Sequence, residues 1–157
     1  MPKLWRQDNF GGSMMDEKGV KDKLEQGWIK SSMWFEVMTS DKETAESTLK
    51  DHIKSMQKLK NTYILTERFE EAVEVKNPPG KLKEAFSKVA QVELLSKNVE
   101  TLLFAVIYFA PSGIEILEPK ELTIGLETIQ VIMNSVADVM HKLAAGGAGG
   151  VVISAKK

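Results

Sequence analysis

The chain has 157 residues, 43% of them hydrophobic and 27% charged, with a formal net charge of -1. That length suits one domain with loose extensions, and the balanced charge lacks the basic excess from which nucleic-acid binders draw most of their affinity. The absence of cysteine excludes disulfides, thiol catalysis and cysteine-held metal sites and fits a reducing cytoplasm, while no run reaches the roughly 18 uninterrupted apolar residues of a membrane span.

Residues 1–13 show no period and end in Gly11-Gly12-Ser13, so they are read as a candidate vector-derived leader and set aside; they lack the apolar core of a signal peptide. Residues 14–145 are read as a single α+β domain. Asp16 to Gln26, with Val20 and Leu24 four apart, predicts a short helix stopped by Gly27. From Ile29 to Thr39, Met33, Phe35 and Val37 alternate with Trp34, Glu36 and Met38, which predicts a strand with one wetter face.

Ser40-Asp41-Lys42-Glu43 has the form of a capping box, with Ser40 as the cap and Glu43 reaching back. Behind it Ala45, Leu49, Ile53, Met56 and Leu59 recur at three- or four-residue steps. That is the buried stripe of a helix of about five turns. Tyr63, Ile64 and Leu65 open the next strand, which continues through Phe69 to Val73 and Val75. Charged residues between them predict a bulge or a long hairpin arm. Asn77-Pro78-Pro79-Gly80 is a loop, since two prolines remove donors and the glycine permits positive φ. Lys81 to Ser87 is expected to form one helical turn.

Val89 to Leu95 alternates as a strand, and Ser96-Lys97-Asn98 offers a cap. Val99 to Ala110 follows a helical stripe and stops at Pro111. A buried strand competes, because Phe104 to Phe109 is rich in aromatic and β-branched residues, but the run exceeds the usual five or six residues of a strand. Ile114, Ile116 and Leu117 make a short strand before Pro119. A second long helix runs from Thr123 to Ala145, with Leu126, Ile129, Ile132, Met133, Val136, Val139, Met140 and Leu143 along one side. Residues 146–157 read as a Gly-rich flexible tail, or as a short edge strand at Val151–Ile153.

Two successive strand–helix–strand units give the order of a ferredoxin-like βαββαβ sandwich, in which both helices cover one face of an antiparallel sheet. The long C-terminal helix is additional. Its stripe needs cover, from the open sheet face or from the same helix of another subunit. The stretch Ala110-Pro111-Ser112-Gly113-Ile114-Glu115-Ile116-Leu117-Glu118-Pro119, followed by a long helix and a Gly-rich end, resembles a group of small uncharacterised archaeal proteins. The resemblance covers about the last seventy residues. It implies a ferredoxin-like α+β fold and an archaeal source, but no established activity, so no functional residue is carried over.

Chemistry is sparse. His52 and His141 lie inside predicted helices, and neither has a His or carboxylate three or four residues further on, so both read as helix-surface histidines rather than metal ligands. Glu67, Glu70, Glu71 and Glu74 read as a solvated strand edge that discourages aggregation. No serine sits in a Gly-x-Ser-x-Gly elbow. The glycines from Gly146 follow a helix, whereas a phosphate cradle precedes one. The sheet lacks the aromatic platform of RNA-binding modules, and nucleic acid is disfavoured. No catalytic residue, metal ligand or cofactor is therefore nominated.

The expectation is a non-catalytic α+β module, a homodimer or higher homo-oligomer built through its C-terminal helix or sheet. One alternative is a small-ligand-binding regulatory domain using Ser96, Asn98, Ser112 and Gly113, which flank the second unit's helix. Another is a carboxylate- or metal-dependent enzyme using Glu115 and Glu118. No membrane partner is expected, and the location is read as cytoplasmic.

Overall fold

The computed structural model describes residues 15–81 and 83–146. The expected leader at 1–13 and edge strand at Val151–Ile153 lie outside them. The chain divides into two compact units, Met1–Glu121 and Leu122–Lys157. Together their described residues form a mixed α+β structure with a five-stranded antiparallel sheet and four helices, the last of them long.

In the first unit, α1 (Glu17–Glu25) starts at Asp16, whose side chain accepts from the Gly19 N–H at 2.8 Å. It stops where Gly27 takes a φ of 89°, a conformation that costs glycine little. β1 (Ile29–Thr39) follows. Its odd-numbered residues Ile29, Met33 and Phe35 enter the core, as the alternation predicts.

α2 (Lys42–Met56) buries Ala45, Leu49, Ile53 and Met56. Its cap is Asp41, not Ser40. The Asp41 carboxylate accepts both the Thr44 N–H at 2.8 Å and the Thr44 hydroxyl at 2.7 Å, a pair of bonds that one serine hydroxyl cannot match. Those bonds, the backbone one first, hold the exposed Asp41 carboxyl below its ordinary value.

β2 (Thr62–Phe69) has a register shift between Ile64 and Thr66, ahead of the charged stretch where the sequence predicts a bulge, and it ends at Phe69 instead of running on to Val73 and Val75. β3 (Val73–Glu74) is a two-residue strand. No helical turn forms among the described residues of 81–87. Instead β4 (Phe86–Ser96) begins at Phe86, where Phe86 and Ser87 pair with Thr39 and Met38 of β1 and with Glu74 and Val73 of β3. Ladder bonds on both sides outweigh a one-turn helix.

α3 (Val99–Phe109) is helical, as the length of its apolar run predicts. Ala110 ends it in the left-handed region at φ 48°, and β5 (Gly113–Glu118) returns to pair with β1. The sheet runs β2-β4-β1-β5, with β3 on the end of β4 and every pairing antiparallel. β1 and β4 are thus central. Ala90, Val92 and Leu94 of β4 join the odd residues of β1, Leu49, Ile53 and Met56 of α2, and Leu102, Ala105 and Phe109 of α3 in one cluster. Both helices therefore cover the same face of the sheet.

In the second unit, α4 (Leu126–Ala145) is a helix of 20 residues that begins at Gly125 without a side-chain cap. It starts three residues after the predicted Thr123.

Candidate functional site

The four residues nominated from sequence fall into two pairs at opposite ends of α3. An 11-residue helix separates the pairs by about 16 Å along its axis. At the N-terminal end Asn98 is the cap, its Oδ1 accepting the Thr101 N–H at 2.9 Å and the Thr101 hydroxyl at 2.7 Å. At the C-terminal end the Ser112 N–H and hydroxyl both donate to the Trp34 carbonyl, at 2.7 and 3.0 Å, which seats β5 on β1. Gly113 pairs with Trp34, and a Cβ there would come no closer than 3.8 Å to the indole, so the position tolerates a side chain.

Ser96 differs from these three. It is fully buried at the end of β4, between Ile29 of β1 and Thr62 of β2, and its hydroxyl has no protein hydrogen-bond partner. The sequence reading missed its neighbour. Ser31 of β1 is equally buried and its hydroxyl is equally unpartnered. Ser31 stands opposite Leu94 and Ser96 opposite Ile29, so the two are diagonal neighbours on the helix-covered face, about 7–8 Å apart between Cα atoms. The signal in the sequence is a serine at an odd position of β1, within the alternation that places Ile29, Met33 and Phe35 in the core.

His52 is not a surface histidine. It is half-buried on α2, and its Nε2 lies 2.8 Å from the Phe109 carbonyl. A carbonyl only accepts, so Nε2 carries the proton. The ring meets Phe35 and Phe109 edge-on at 5.3 and 5.6 Å. His52 thereby ties α2 to one of the last carbonyls of α3, which have no helical donor. His141 is exposed on α4.

Glu67 departs from the solvated acidic edge predicted for its segment. It pairs with Val92 on the helix-covered face and is half-buried beside α2, where Gln57 Nε2 donates to its carboxylate at 3.3 Å. Burial pushes its carboxyl above the ordinary value, against that one bond. Glu115 and Glu118 are exposed on β5. Among the described residues, no three His, Asp or Glu side chains gather so as to hold a metal ion, and no helix is long and apolar enough to cross a membrane.

Among the described residues, exposed apolar side chains lie on α3, on α4 and also on β5, where Ile114 and Ile116 are 41% and 58% exposed. In the first unit Phe104 and Tyr108 stack on the outside of α3 with ring centroids 5.7 Å apart. On α4 no residue is buried, and Leu126, Met133, Val136, Met140 and Leu143 are all exposed, Leu126 by 84% and Met133 by 60%. A helix with that much apolar surface has its packing energy still to gain.

A family model described as the MJ0538 family matches residues 30–157, from β1 through the C-terminus. The family is uncharacterised and named after an archaeal protein. Searches of curated proteins and of solved structures found no match.

Proposed function

The chain belongs to the MJ0538 family, and we propose that it works as a non-catalytic, self-associating α+β module. The sheet order β2-β4-β1-β5, with α2 and α3 on one face, supports reading the first unit as a ferredoxin-like sandwich to which α4 is added. One observation carries the functional reading: α4 is a 20-residue amphipathic helix without a buried residue. An isolated helix of this kind is marginal in water, because most helical stability comes from burying the apolar face. Each Leu, Ile, Val or Met that passes from exposure to burial contributes roughly 1.5–3 kcal/mol.

Closed homodimers are the commonest assembly, so a homodimer is the first expectation. Light scattering at micromolar protein tests it. The expected result is a dimer or larger, converted to monomer by Met133→Glu. A monomeric parent protein overturns the reading.

A second reading, a small-ligand-binding regulatory domain, is favoured by one observation: the Ser96 hydroxyl is buried without a partner, beside the Asn98-capped start of α3. A ligand held there by Ser96 and Asn98, or at the other end by Ser112 and Gly113, would raise the melting temperature. A metabolite panel without a shift counts against it.

A further inference from the structure

Resting on the self-association reading, we propose that the occupant of the α4 apolar face is α4 of a second copy, laid antiparallel and centred between Asn134 and Ser135. The spacing of the face supports this. Leu126, Met133 and Met140 are seven residues apart, and Ile129, Val136 and Leu143 repeat the same interval three residues later. That is a heptad seam of period 3.5, the pattern that keeps one helix facing another. Ile132 and Val139 widen it on one side, each immediately before a seam methionine. Asp138 and Lys142, which pair at 2.6 Å, lie outside the seam.

Layer volumes select the direction. In a parallel pair every seam residue faces its own copy, so a Met133 layer of two long side chains adjoins a Val136 layer of two short ones. In the antiparallel pair Met133 faces the partner's Val136, Ile129 the partner's Met140, and Leu126 the partner's Leu143. Every layer then joins residues of similar summed size, as close packing requires. Electrostatics agrees in one respect: the helix dipoles oppose favourably.

The area suffices for a modest dimer. Eight seam and flanking side chains per helix, at about 60–80 Å² each, bury about 1,000–1,300 Å² in the pair. Specific interfaces start near about 1,200 Å².

The absence of cysteine allows the full chain to be spin-labelled at single sites. Asn134→Cys and His141→Cys are both exposed and occupy equivalent heptad positions, so a parallel pair gives them equal label-to-label distances. The antiparallel pair gives a short distance at 134 and one with roughly 20 Å of added axial separation at 141. That result, in protein shown to be dimeric by light scattering, supports the proposal. Equal distances, or no dipolar coupling at either site in a dimer, overturn the α4 arrangement and leave self-association standing. A monomer overturns both.

Discussion

Replacing Ser96 with alanine separates a structural hydroxyl from a functional one. In the folded protein the Ser96 hydroxyl is fully buried and has no protein partner. In the unfolded chain it bonds to water. Burying such a group unpaired costs about 1–3 kcal/mol. Alanine removes the oxygen and little else, so the packing lost opposite Ile29 and Thr62 is small. Ser96→Ala is therefore expected to stabilise the protein by about 1 kcal/mol or more, a rise of roughly 2–8 °C in melting temperature for a domain in this size range. Ser31→Ala should behave alike, because its hydroxyl is in the same condition. The assay is urea denaturation followed by circular dichroism, at one fixed protein concentration, since self-association makes stability concentration-dependent. Independent hydroxyls give additive effects in the double variant, within about 0.5 kcal/mol. If Ser96→Ala instead loses about 1 kcal/mol, or the double-mutant cycle shows strong coupling, the two hydroxyls share a bridging partner in solution and the reasoning fails.

Three further outcomes are expected. Asn98→Ala removes the α3 cap and should cost about 0.5–2 kcal/mol in denaturation midpoint analysis, with Asn98→Ser restoring most of it. Glu67→Gln should be more stable than the parent at neutral pH. A carboxyl raised by burial binds its proton more tightly when folded, so its destabilisation is complete above the raised value. It fades as pH falls toward the ordinary 4.5, and thermal melts across that window should show the difference closing. Asp41→Asn should match the parent more closely in acid than at neutral pH. The lowered Asp41 carboxyl contributes stability above its ordinary 3.8 and loses it as pH falls through the depressed value. Melts that shift in parallel at all pH values would contradict that assignment.

The fold was legible wherever hydrophobic period and chain punctuation agreed. β1 alternates cleanly and its bounds match the predicted Ile29–Thr39. α2 buries four residues of its predicted stripe, and the length of the run from Val99 decided α3 correctly over a strand. The errors lie where a partner the pattern does not show, near or distant, outweighs local propensity. Phe86–Lys88 carries no strand signal of its own but lies along Met38 and Thr39. Ser40 and Asp41 are both good caps by type, and only the double bond to Thr44 selects the aspartate. His52 has the sequence surroundings of a solvent-facing residue, and the Phe109 carbonyl that captures it is 57 positions away.

The candidate site was harder to read because backbone and ligands make the same demands of a side chain. A polar residue before a helix or at a turn can hold a small molecule, but the peptide groups there also need partners. Asn98 and Ser112 satisfy such groups, at Thr101 and at Trp34. A polar atom points to something further only when it exceeds what the backbone consumes, and in the first unit that describes Ser31 and Ser96. The same logic applies to apolar surface. The stripes of α2 and α3 end in the core cluster, while the stripe of α4 buries nothing. Leu126, Met133, Val136, Met140 and Leu143 of that stripe are exposed, whereas the surplus hydroxyls are enclosed. Of the two surpluses, only the helix face is accessible to a macromolecule, which is why self-association ranks above ligand binding.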